Sequence, residues 1–202
     1  MKLIPLLFSL LLLLPAGPAL AEETPPSATE QVRQTVDRVL EILRDHSLQG
    51  EERRQQLSQT VRHRFEFSIM AQRTLGKYWQ DASADEQKRF VALFSDLLEG
   101  SYIGRVEAYS DEQVLFVGER LAGDRAEVAT LVRNTGGDIP IDYRLVLVKG
   151  EWLVYDVIVE DVSLIKNYRG SYGEIVRNEG FTGLFARMEE KIRQLRTEPD
   201  NS

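Results

Sequence analysis

Apolar side chains recur every three to four residues through Val32, Val36, Val39, Leu40 and Leu43, a spacing that predicts an amphipathic helix. Ser27 and Glu30 stand at its start with the spacing of a capping box. Ser47–Gly50 breaks the pattern, and Glu51–Val61 reads as a second, more polar helix whose thin apolar face is Leu57 and Val61. Phe65 and Phe67 then lead into Ser68, the expected cap of a short helix. Its face is Met70, Ala71, Thr74, Leu75, Tyr78 and Trp79, and Gly76 loosens its last turn. Ser83 and Glu86 form a second capping box, opening the longest helix. A wide stripe runs along it through Phe90, Val91, Phe94, Leu97, Leu98, Tyr102 and Val106. Gly100 and Gly104 within the stripe read as close packing or a bend.

After Tyr109 the period falls to two. Strands are expected at Gln113–Glu119, Arg125–Arg133, Ile139–Lys149 and Glu151–Val159, with turns at Leu121–Asp124, Asn134–Asp138 and Lys149–Glu151. Connections this short force an antiparallel meander. Strict alternation on the last strand puts Trp152, Val154, Asp156 and Ile158 on one face and Leu153, Tyr155, Val157 and Val159 on the other. Both faces are mostly apolar, so both need a cover, and a buried Asp156 needs a donor. Arg169 and Arg144 are the candidates. The helical period returns with Leu164, Ile165, Tyr168, Tyr172, Ile175 and Val176, capped by Ser163 or Asp161. Gly180 interrupts it, and a last helix capped by Thr182 carries Leu184, Phe185, Met188, Ile192 and Leu195 before the polar tail Thr197–Ser202. Four helices, four strands and two helices in blocks make an α+β fold: helices packed on a four-stranded antiparallel meander sheet.

Met1–Ala21 carries a lone Lys2, an apolar run from Leu3 to Leu14 and the small-x-small site Ala19-Leu20-Ala21, so it reads as a secretory signal peptide cleaved after Ala21. Cleavage leaves one domain over 22–202 and takes the formal net charge from −7 to −8 by removing Lys2. An acidic balance argues against a nucleic-acid partner. The chain has no cysteine, hence no disulfide or thiolate metal site. Catalysis has little support. His46 and His63 sit on polar stretches, no glycine-rich phosphate loop follows a strand, and Glu160-Asp161 reads as helix-capping charge. No cofactor, metal or catalytic residue is expected.

Several segments resemble the periplasmic phospholipid-binding proteins of the Mla lipid-asymmetry pathway, the toluene-tolerance family. They are Phe65-Glu66-Phe67 with Met70; Leu75-Gly76-Lys77-Tyr78-Trp79; Phe90 to Phe94 leading into Tyr102; and Ile139 to Arg144. The Trp152 strand runs on through Tyr155-Asp156-Val157, Val162-Ser163-Leu164 and Asn167-Tyr168-Arg169. One departure is Asp161, where glycine is expected before Val162 and a tight turn needs it.

From pattern alone these apolar residues make an ordinary helix-on-sheet core. The resemblance implies instead an apolar cavity enclosed by helices and sheet, holding lipid tails with the headgroup near its opening. Its expected lining is Phe67, Met70, Leu75, Phe90, Phe94, Leu98, Tyr102, Tyr143, Trp152 and Val157, with Arg169 as an approach to the lipid phosphate. No run of Arg or Lys marks a dedicated phosphate cage, so binding is expected to be driven by tails and largely blind to headgroup. The resemblance also implies a periplasmic carrier shuttling glycerophospholipid between outer and inner membranes. It implies two docking partners, an outer-membrane lipoprotein–porin complex and an inner-membrane ABC transporter complex. The rival reading is a cavity-bearing periplasmic enzyme acting on a small apolar substrate, which needs a convergent acid/base pair in its pocket. A purely structural module would have a filled core and no ligand.

Overall fold

A computed structural model describes residues 26–109, 112–134 and 136–197. The expected signal peptide, Met1–Ala21, and residues 198–202 of the tail lie outside the described residues. The first helix, α1 (Ala28–Arg44), starts on Ser27, whose hydroxyl accepts the Glu30 N–H at 3.1 Å. Next come α2 (Gly50–Arg62) and α3 (Phe67–Leu75). Glu66 rather than Ser68 caps α3, its carboxylate accepting the Ser68 N–H. A 3-10 turn, Gly76–Trp79, leads to α4 (Ala84–Glu107), where Ser83 and Glu86 complete the full capping box. Leu195 shows why Gly100 is glycine: a Cβ there would stand 3.3 Å from its side chain.

The sheet has five strands, not four. In spatial and chain order they are β1 (Gln113–Ala122), β2 (Arg125–Asn134), β3 (Gly137–Val148), β4 (Glu151–Val159) and β5 (Val162–Ser163), each antiparallel to the next. The first hairpin is tighter than expected because β1 runs to Ala122, leaving Gly123-Asp124 as the turn. The short β5 exists because Glu160 and Asp161 both take positive φ (48° and 66°) and fold Val162 back onto Val159. Aspartate tolerates that left-handed region better than most side chains, so the turn forms without the expected glycine.

The phase of β4 also differs from strict alternation. Arg144 faces Asp156 while the adjacent Leu145 already faces Val154, so Tyr155 is an extra residue, a bulge. Beyond it the faces exchange. Trp152 and Val154 pack beneath α1 together with Val157, whereas Tyr155 belongs to the opposite, helical side. Asp156 follows Tyr155 to that side and meets the start of α5 (Leu164–Thr197), a helix broken at Gly180 (φ 67°, ψ −173°). Ser163 caps it, accepting the Lys166 N–H at 3.1 Å.

The outer edge of β4 is covered at both ends, which removes a row of unpaired backbone groups. β5 covers one end. At the other, Glu66 N–H donates to the Val154 carbonyl and Val154 N–H to the Arg64 carbonyl, both at 2.8 Å. That bridge fixes the entry to α3. The helices α3, α4 and α5 pack together against one side of β4, while α1 lies across β1 and β2 on the other.

Candidate functional site, an apolar cluster between helices and sheet

The stripe along α4 supplies the centre. Phe90 and Phe94 are fully buried and stacked at 5.5 Å between ring centroids. Tyr172 of α5 meets both edge-on, at 5.9 and 6.2 Å, and Tyr168 meets Phe94 the same way at 5.4 Å. Such edge-to-face contacts add to the area term. Met70 and Leu75 enter from α3, Leu98 from α4, Ile165 and Leu184 from the two arms of α5, and Val146 and Tyr155 from the sheet. Phe67 and Tyr102 pack against this cluster half-buried. Burial pushes the Tyr168 hydroxyl up to about 12 and raises Tyr172 as well. The Tyr172 and Thr74 hydroxyls are buried with no hydrogen-bond partner among the described residues.

Of the expected lining, Phe67, Met70, Leu75, Phe90, Phe94, Leu98 and Tyr102 therefore come together. Trp152, Tyr143 and Val157 do not join them. They lie on the far face of the sheet, in a second cluster with Ala28 and Val32 of α1, because the bulge turns Val157 toward Trp152. Burial there pushes Tyr143 up to about 12. Arg169 sits at the surface, and its Nε donates to the Arg73 carbonyl at 2.7 Å, at the C-terminal end of α3.

Asp156 is paired with Arg144, not Arg169. It is 4 % exposed and accepts from the Ser163 hydroxyl at 2.7 Å, the Ile165 N–H at 3.2 Å and Arg144 Nη1 at 3.4 Å. Arg144 also reaches Glu127 at 3.1 Å, and Glu127 in turn meets Arg120. These four side chains are direct cross-strand neighbours on β1 to β4, so alternating charge crosses the sheet to the start of α5. Burial alone would raise the Glu127 carboxyl, but the hydrogen bonds from Arg120 and Arg144 hold it below its usual range.

The fold also assembles cations that the sequence keeps apart. Arg73 of α3 and Arg125 of β2 both lie over the ring of Tyr155, with guanidinium carbons 4.4 and 5.1 Å from its centroid. No spacing signal could have found this pair, because 52 positions of chain separate residues 73 and 125. Among the described residues there is no group of three or more His, Cys, Asp or Glu side chains placed to hold a metal ion, and no helix long and apolar enough to cross a membrane.

Comparison with known proteins places this arrangement. The family model described as MlaC protein matches residues 33–190. The chain is 25% identical over 128 residues, 60% of its length, to the intermembrane phospholipid transport system binding protein MlaC of Haemophilus influenzae. It is 27% identical over 106 residues, 52% of its length, to the toluene tolerance protein ttg2D of Pseudomonas putida. The matched segments span 60% and 49% of those two relatives' own lengths. Among solved structures, a phospholipid-binding protein from Ralstonia solanacearum in complex with a phospholipid superposes with a TM-score of 0.77 at 26% identity. That match covers 85% of this chain and all of the other.

Proposed function

The chain belongs to the MlaC family, and from that premise we propose that it is a phospholipid carrier which holds lipid by its acyl tails between α3, α4, α5 and the sheet. The observation that carries this reading is the superposition, over its whole length, of a relative whose structure contains a bound phospholipid. The apolar cluster supports it independently, for it joins helices and sheet and is flanked by the half-buried side chains Phe67, Tyr102 and Tyr168.

Energetics explain why such a carrier needs an enclosed apolar site. Burying one methylene gains about 0.8 kcal/mol. Two acyl chains of some fifteen methylenes each would cost on the order of 20 kcal/mol to expose to water. A site about as apolar as a bilayer makes extraction and delivery nearly balanced, so docking partners set the direction. No bond in the lipid has to be made or broken. Tails enter by parting α4 and α5 from β4, and the rings of Phe90, Phe94 and Tyr172 then line the chains in place of one another. In this reading the mature protein works in the periplasm, between an outer-membrane lipoprotein–porin complex and an inner-membrane ABC transporter complex.

Transfer between two vesicle populations separated by a membrane that passes only the protein tests the carrier role. Phospholipid labelled on its tail should reach the acceptor vesicles in proportion to the protein added. Transfer no faster than without protein would overturn the reading.

A further inference from the structure

The chain is acidic, yet Arg73 has no carboxylate partner among the described residues. Its guanidinium shares the Tyr155 ring with that of Arg125, so two like charges converge on one aromatic face system. Arg125 is poorly compensated. Its Nε lies 3.5 Å from the exposed carboxylate of Asp124, while its Nη1 is buried with no acceptor among the described residues. A buried cationic N–H without an acceptor is costly, and folded proteins rarely leave one. Arg169 joins the corner through the Arg73 carbonyl and makes no other hydrogen bond to the described residues. The nearby Glu127 does not neutralise the corner, because Arg120 and Arg144 already occupy it.

Position decides what this corner is for. Tyr155 is itself part of the apolar cluster and only 8 % exposed, so the two guanidiniums sit where that cluster meets the surface. A lipid with its tails in the cluster carries its phosphate at that boundary, within a few bonds of the chains. We propose that Arg73 and Arg125, with Arg169 beside them, form the phosphate seat of the lipid site. The ligand group is the phosphodiester anion common to glycerophospholipids, recognised apart from whatever the phosphate bears. Planar guanidinium forks suit it, because each can offer two parallel N–H donors to a phosphate. The anion supplies the acceptor Arg125 Nη1 lacks and screens the two cations from each other. This rests on the carrier reading above and adds to it: tails set the strength of binding, and the seat separates phospholipid from uncharged lipid of the same chains.

The test compares uptake of a phosphatidylethanolamine and a diacylglycerol with identical chains, offered in the same detergent micelles to delipidated mature protein. Wild type should prefer the phospholipid. The Arg73→Gln/Arg125→Gln variant should lose about tenfold in phospholipid affinity, the scale of one charged contact, and keep its diacylglycerol affinity. Should the double variant not fold, exposed Arg73→Gln alone carries the same comparison, and Arg73→Lys should recover part of the preference. An unchanged preference in folded variants overturns the seat while leaving the carrier intact. Uptake of neither lipid by wild type overturns both. Inorganic phosphate titrated alone should bind far more weakly than phospholipid, and arginine-dependent binding of equal strength would overturn the assignment to a lipid head.

Discussion

The carboxylate of Asp156 receives the backbone N–H of Ile165 at 3.2 Å, so a buried strand residue closes the first turn of the helix that follows it. Ser163 donates to the same carboxylate, and Arg144 approaches it from β3. Asp156→Ala strands all three donors and should destabilise the fold by about 3 kcal/mol, the low end for a broken buried pair because Arg144 keeps Glu127. Asp156→Asn retains an acceptor for Ile165 and should fall between. Chemical denaturation of the three proteins checks the order.

Asp142 predicts the opposite sign. Burial first, then the carboxylates of Glu127 and Asp161, raise its carboxyl above the usual range, against weaker opposing pulls from Arg120 and Arg144. A raised carboxyl destabilises the folded state above its folded-state pKa, and the penalty disappears as pH falls below the unfolded value. Asp142→Asn should therefore raise Tm at pH 7, with the gain shrinking toward zero below about pH 4. A gain that persists at pH 3 would show that charge is not its cause.

The turn Glu160-Asp161 predicts a ranking. Asp161 has φ 66° and an exposed side chain, and valine and glycine both remove its charge from Asp142, so the difference between those two substitutions reports backbone strain. Asp161→Val places a β-branched residue in the left-handed region and should cost about 1–2 kcal/mol. Asp161→Gly removes the strain but frees the unfolded chain, leaving a net change within about 1 kcal/mol. Thermal melts should rank valine clearly lowest.

The break in α5 is held by a specific arrangement. Gly180 lies outside helical geometry, Glu179 packs where a Cβ on Gly183 would collide with its own Cβ, and Arg187 grips the Glu179 carboxylate through two hydrogen bonds at 2.6 and 2.9 Å. Gly183→Ala should force Glu179 out of place and destabilise by about 1–3 kcal/mol, as overpacking does. Glu179→Gly, which removes the colliding Cβ itself, should make Gly183→Ala far less costly, whereas Glu179→Ala keeps that Cβ and should not. Additive effects of Glu179→Gly and Gly183→Ala in that double-mutant comparison would refute the steric account.

Much of this was legible in the chain. The stripe Phe90–Phe94–Leu98 and the face Met70–Leu75 are local periodicities, and periodicity survives folding. The meander followed from short turns. What could not be read depends on cross-strand register. The bulge at Tyr155 shifts Asp156 and Val157 between faces, yet nothing in the residues of β4 marks where the extra residue falls, because the partner strand and the helices above it decide. The absence of β5 from the sequence reading has a different cause. A two-residue strand has no period, and aspartate in place of glycine hid the turn that makes it. The pairing of Arg73 with Arg125 over Tyr155 is a product of three elements meeting, which sequence distance conceals.

The central claim, that the cluster between α4, α5 and β4 is built to hold phospholipid tails, is tested most directly by mass. Mature protein expressed in a Gram-negative periplasm and purified without detergent should be denatured, extracted with organic solvent and analysed by lipid mass spectrometry against a phosphorus assay. The account predicts close to stoichiometric phospholipid with a headgroup profile like that of the host membranes. Folded protein that releases no phosphorus-containing lipid would contradict it.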